Sequence, residues 1–329
     1  MFTRNIKALR VGVFALLSAL TVAPTFAQQR GQYLSGIFAV NSGVMPAPGF
    51  TYDNVFYDSN SDRLKGPNGQ GIPVSGQFAI FVDNNVFLYV YKPKILGGNL
   101  ESAADITIAN ANLAADVFTP RIPGVPSVPV NGGGGGLANC YFTPLQIGWH
   151  LKRLDIQAGY AFIAPTGRYT AGASNNTGVG YWTNAIQAGA TVYLTSNKAT
   201  AINAFNFYAW NTQQQNTHIT YGQSDSFDYS VTQILPLAKD NKYLLQTGFI
   251  GYGQWQTSSP GLPSAASALP PGLVLPVLNS RYGVNAIGFT GNLLVPGRKF
   301  SIGGSAFWEL GAYNTREGHV VMISAAFNL

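Results

Sequence analysis

From residue 50 to the end of the chain, about a dozen strand-like segments are joined by links that are alternately long and short. A barrel seated in an outer membrane imposes that alternation. Successive links fall in turn on its exterior and periplasmic rims, and bacterial barrels place long loops outside and tight turns inside. The strands read from the sequence are 50–58, 77–91, 101–118, 139–149, 154–163, 181–194, 200–210, 219–235, 242–255, 280–295, 299–313 and 319–329. Twelve is an even number, as single-chain bacterial barrels require. Links after odd-numbered strands include the long ones, 60–76, 119–138, 164–180 and 256–279, whereas every link after an even-numbered strand is short. The short links, and both chain ends with them, are thereby assigned to the periplasmic rim.

Composition says what such strands would face. Only 10% of the residues are charged, against roughly 25% in ordinary soluble domains, so something other than water must cover much of the surface. After residue 30 no stretch approaches the ~20 consecutive apolar residues of a spanning helix. Helical membrane proteins are thereby excluded. A barrel is not, because alternating lipid-facing and lumenal residues average each strand to a middling hydropathy.

Alternation is clearest near the C-terminus. Phe300, Ile302, Ala306, Trp308 and Leu310 read as lipid-facing, and Ser301, Gly303, Ser305 and Glu309 as lumenal, since a pleated strand has period two. Leu154, Ile156, Ala158, Tyr160 and Phe162 form a similar outward set, with Asp155, Gln157 and Gly159 inward. Val321, Ile323, Ala325, Phe327 and Leu329 share one face of the last strand, a run that resembles the C-terminal signal by which outer-membrane barrels are recognised for assembly. Trp149, Trp182, Trp210, Trp255 and Trp308 fall at or near strand ends, where aromatic girdles meet the two membrane interfaces.

Residues 1–27 read as a secretion signal. Arg4, Lys7 and Arg10 form its basic region, residues 11–22 its apolar core, and Thr25-Phe26-Ala27 its cleavage site. Without those three basic residues, the chain's 19 Lys and Arg stand against 13 Asp and Glu at a net charge of about +3. That is no nucleic-acid footprint, which needs Lys and Arg clustered on one face. Residues 28–49 end in Gly43-Val44-Met45-Pro46-Ala47-Pro48-Gly49, a concentration of residue types that interrupt regular structure. The segment is expected to be irregular or briefly helical, either a periplasmic segment or a plug tucked into the lumen, leaving 50–329 as the barrel. Gly132 to Gly136 and the Pro-rich stretch 260–276 are expected to be mobile exterior loop tips.

Enzymatic chemistry finds little support. His150, His218 and His319 lie far apart without metal-ligand spacing, so no metal site and no cofactor are expected, and each His reads as a rim residue. Gly132 to Gly136 lacks the Gly-Lys-Ser/Thr of a phosphate-cradling loop, and no G-x-S-x-G elbow is present. The lone Cys140 reads as a small buried hydrophobe.

One block is more specific than composition or periodicity. Pro144-Leu145-Gln146-Ile147-Gly148-Trp149-His150-Leu151 continues through Gly159-Tyr160-Ala161-Phe162 to Ala164-Pro165-Thr166-Gly167-Arg168-Tyr169. It resembles the outer-membrane proteins grouped as the meta-pathway phenol-degradation, transporter-like family. Tyr57-Asp58-Ser59 with Asp62-Arg63-Leu64, and Gly178-Val179-Gly180-Tyr181-Trp182-Thr183, carry the likeness further. The resemblance implies an outer-membrane barrel associated with uptake of aromatic or other hydrophobic compounds, and no catalytic residues. The Gly132 to Gly136 run and the Pro-rich 256–279 loop depart from it.

These readings converge on an all-β protein: a transmembrane antiparallel β-barrel of about 12 strands with an N-terminal plug-like segment, in the bacterial outer membrane and not an enzyme. Twelve strands leave a lumen narrower than the 16 to 18 of general porins, which favours selective passage. The expected solute-lining residues are Asp155, Gln157, Gln246, Gln254 and Glu309 from inward strand faces, with Arg168 from the matched block. Expected partners are outer-membrane lipid, the barrel-assembly machinery through the C-terminal strand, and a small hydrophobic or aromatic solute. The competing expectation is a non-transporting surface barrel that binds a partner through its exterior loops.

Overall fold

Strand pairing alone accounts for the architecture. The computed structural model describes residues 30–72, 74–117, 128–238, 240–261 and 281–329. Its strands are β1 (Gly49–Leu64), β2 (Val74–Ile95), β3 (Gly98–Val117), β4 (Val128–Leu137), β5 (Cys140–His150), β6 (Leu154–Ala164) and β7 (Thr183–Tyr193). They continue with β8 (Thr200–Asn211), β9 (Ser224–Pro236), β10 (Leu244–Gln256), β11 (Gly283–Val295), β12 (Phe300–Tyr313) and β13 (Arg316–Asn328). All pairings are antiparallel. β1 lies between β2 and β13, the strands then follow in reverse chain order to β5, β5 pairs with β3, and β3 with β2 closes the ring. Twelve strands form the barrel, and β4 is an additional strand alongside β3.

Closure leaves no open edge among the twelve barrel strands, which a hydrocarbon surrounding demands because it offers the backbone no other hydrogen-bond partner. The outer face is apolar: Ile186, Phe249, Ile287, Phe289, Trp308 and Ile323 are each more than half exposed. The expected parity holds in β6, β12 and β13, with Tyr160, Ile302, Leu310, Val321 and Phe327 exposed and Asp155, Gln157 and Glu309 buried. Trp149, Trp210 and Trp255 lie next to last in their strands and Trp182 just precedes β7. Trp308 instead sits well inside β12, opposite Ile287.

Three departures have physical causes. The first is length: β1, β2 and β3 run 16, 22 and 20 residues, against about 9–11 for a membrane crossing. Their ladders continue beyond the membrane, to Ser61↔Phe78 and Val74↔Val117. Residues 59–64 look like a loop in composition, yet β2 and β13 flank them and pair their backbone. At the other rim the link expected over 92–100 contracts to Leu96-Gly97, whose φ angles of 51° and 80° suit a type I′ hairpin turn.

The second departure corrects the loop tip expected at Gly132 to Gly136, which is strand β4, in register with Leu113 to Ala109. Lack of side chains is the reason. The loop after β6 descends onto β4, the Gly133 N–H donates to the Ser174 carbonyl at 2.8 Å, and a Cβ at Gly134 would collide with the Asn175 carbonyl. The signal, and the Pro-rich loop beyond residue 261, lie outside the described residues.

The third concerns the N-terminal segment. Residues 30–48 contain turns and no helix, and they lie inside the barrel. Arg30 reaches Glu309 and Thr315 at the exterior end. Met45 lies at Gly148, near the periplasmic rim, just before β1 begins. The described chain therefore begins at the exterior end of the lumen, where a periplasmic N-terminus was expected. Leu329 is periplasmic, its N–H bonded to the Phe50 carbonyl at 2.8 Å.

Candidate functional site: the lumen

The segment occupies one side of the lumen by engaging inward polar groups of the wall from β6 round to β12. Asp228 on β9, fully buried, accepts from the Tyr33 hydroxyl at 2.5 Å and from the N–H groups of Gly36 and Phe38 at 2.9 and 3.2 Å. A turn without regular structure needs such acceptors for its backbone donors. Gln246 and Asn41 exchange hydrogen bonds of 2.8 and 3.3 Å. Gln254 donates to the Tyr33 carbonyl at 3.2 Å, and Gln157 to the Ser42 carbonyl at 2.7 Å. Small residues permit this contact: a Cβ at Gly189 on β7 would overlap the Ser42 carbonyl oxygen.

At the exterior end the Arg30 guanidinium is bidentate on Glu309, with Nη2 3.0 Å from Oε2. Glu309 also accepts from the Tyr252 hydroxyl and the Gly318 N–H, both at 2.8 Å. Between these polar anchors the segment is clamped by aromatic rings. Tyr33 stacks on Phe207 at 4.7 Å and Phe38 packs on Phe205 at 4.6 Å, contacts worth about 0.5–1.5 kcal/mol each beyond their burial.

The other side of the lumen is open. A cavity of about 1100 Å³ extends from Gly132, Leu113 and Tyr169 at the exterior end to Leu88, Leu294 and Ala326 near the periplasmic turns. Its wall on β1, β2 and β3 carries Asp53, Asn84, Glu101 and Asp105. Each keeps one buried side-chain oxygen to which nothing donates among the described residues.

Five of the six expected lining residues face inward. Gln157, Gln246 and Gln254 border the cavity while bonded to the segment. Glu309 is held by Arg30, outside the cavity's lining. Asp155 is taken up at the periplasmic end by Tyr193 at 2.6 Å, with His150 at 3.3 Å and Lys198 at 3.4 Å. Arg168 turns back to the Asn175 carbonyl of its own loop at 2.7 Å. The sequence reading missed Asp53, Glu101, Asp105, Phe205 and Phe207. The available signal was parity: Glu101 and Asp105 are four apart on β3, and Phe205 and Phe207 two apart on β8, so each pair shares a face.

A closed barrel with an apolar belt outside and a cavity along its height defines a transmembrane barrel of the bacterial outer membrane. Residues 61–325 match the family described as "Putative MetA-pathway of phenol degradation", and the chain belongs to that family. No curated protein matches it by sequence. Among solved structures, it is similar to an outer membrane channel from Pseudomonas putida F1, with a TM-score of 0.65 and 13% identity, covering 88% of this chain and 98% of that one. It is also similar to the β domain of the Bordetella autotransporter BrkA, with a TM-score of 0.46 and 9% identity over 86% of this chain and 100% of that one. At 13% identity the likeness to the Pseudomonas channel is one of fold.

Proposed function

We propose that the protein is an outer-membrane conduit for small hydrophobic or aromatic solutes, with no catalytic role. The cavity carries this reading, because its lining reaches from residues beneath the exterior loops to residues near the periplasmic turns. Membership of the phenol-degradation family supports the solute class. A solute enters under the exterior loops and loses water against Phe78 and Leu113. It then passes between the β1–β3 wall and the segment 30–48, which acts as a plug narrowing the lumen. Gln157, Gln246 and Gln254 meet the solute, while Asp155, Glu309 and Arg168 keep the passage in shape. Lipid covers the outer belt, and β13 presents the assembly signal.

Planar-bilayer recording on the purified full chain tests this. Phenol added on the exterior side is expected to interrupt a small steady current in a concentration-dependent way. A barrel that stays closed under every condition would overturn the proposal and favour a surface protein working through its loops.

A further inference from the structure

The three carboxylates on the open wall are arranged unlike the other lumenal acids. On the inward face, Asp53 and Asp105 stand across Val86, with which both are in register, and Asn84 lies one layer above, in register with Val55 and Thr107. Glu101 is two layers below on the periplasmic side, in register with Val90 and Gln146. Glu101, Asp105 and Asn84 are only 4%, 7% and 1% exposed. The Gln146 amide donates to Glu101 Oε1 at 3.2 Å. Among the described residues nothing donates to the buried Glu101 Oε2, Asp105 Oδ1, Asp53 Oδ1 and Asn84 Oδ1, and all four residues border the cavity.

Among the described residues, the two lumenal guanidinium groups do not compensate them. Arg30 is committed to Glu309, and Arg316 lies over the Phe78 ring at 4.2 Å, both near the exterior end. Buried acceptors without donors are costly, and buried carboxylates more so, unless a cation with hydrogen-bond donors meets them. A primary ammonium has three donors and one positive charge, the complement of this set of oxygens. Val86, Leu88 and Tyr141 border the same stretch and suit an apolar or aromatic body behind the charged end.

We propose that the cavity wall formed by Asp53, Asn84, Glu101 and Asp105 is a binding subsite for the protonated amine end of a small organic cation with an apolar or aromatic body. This rests on the reading of the barrel as a solute conduit and narrows the solutes it favours. No group of side chains suited to a metal ion is found among the described residues, so the site is assigned to an organic ammonium.

The test is equilibrium binding to the detergent-solubilised full chain, which reads the subsite without requiring passage. Benzylammonium is compared with benzyl alcohol, its neutral counterpart. Benzylammonium is expected to bind about tenfold more tightly, the scale of one added charge-assisted contact. In the variant Asp53→Asn/Glu101→Gln/Asp105→Asn the preference is expected to fall to about twofold or less, with benzyl alcohol binding unchanged. Equal binding of the two probes to the wild-type protein would overturn the proposal, even if the variant failed to fold. So would a preference that survived the triple substitution. Tight benzylammonium binding to a barrel that passes no current would sink the conduit reading and uphold the subsite.

Discussion

Along β9 and β12, Asp228 and Glu309 each accept at least three hydrogen bonds from the segment and the wall. Along β1 and β3, Asp53, Glu101 and Asp105 each keep a buried oxygen that accepts no hydrogen bond among the described residues. All five face inward from the same cylinder. What differs is whether a second layer of chain lies over them. On the covered side, carboxylates serve as anchors for residues 30–48, and their chemistry is spent on structure. On the open side, the same residue type faces the path a solute would take. An inward acid in such a barrel is therefore assigned by what covers it, and strand parity alone cannot separate the two roles.

The difference predicts unequal responses to substitution. The largest effect is expected from Asp228→Ala, which strands the Tyr33 hydroxyl and two backbone N–H groups. Each buried donor left without an acceptor costs about 1–3 kcal/mol, enough to release the segment. Proteolysis of the folded barrel should then cut within residues 30–48, whereas the wild-type segment resists. Glu309→Ala comes next, since removing one member of a buried pair costs about 3–5 kcal/mol. The freed Arg30 charge should also shift the reversal potential in a salt gradient toward anions. Unchanged selectivity with unchanged thermal stability would refute the anchoring role of Glu309.

On the lipid side, Phe249→Arg in the middle of β10 should destabilise the refolded barrel by about 2–4 kcal/mol, read from urea titration in vesicles. The smallest effect is expected on the open wall. Asp105→Asn removes a buried charge and breaks no hydrogen bond to the Oδ1 atom, so stability should hold or rise slightly. A loss comparable to that of Asp228→Ala would erase the contrast between the two sides.

Much of this molecule is legible in its sequence, and the illegible parts share causes. β6, β12 and β13 announce themselves because bulky apolar and polar residues alternate cleanly, so Tyr160 against Asp155 or Trp308 against Glu309 fixes the inner face. β8 does not, since Phe205 and Phe207 point inward to stack on the segment, reversing the usual sense of apolar-out. β3 hides its carboxylates among Ala and Ser, where parity has little contrast. β4 has five consecutive glycines and no pattern to read; its pairing depends on strand β3 and a loop far along the chain. Gln157 and Glu309 came from cleanly alternating strands, and there the segment binds them. On β3 of the open wall, small residues conceal the inner face.

Side-by-side single-channel recording of the wild-type chain and Gly189→Val tests the central claim most directly: residues 30–48 fill one side of the lumen and leave a solute path on the other. The added side chain cannot coexist with the Ser42 carbonyl, so the segment must lift from β7 while the wall strands keep their pairing. The account predicts a small wild-type current interrupted by phenol, and a severalfold larger current in the variant with briefer interruptions. Equal conductance in the two proteins, or no phenol-dependent interruption in either, would contradict it.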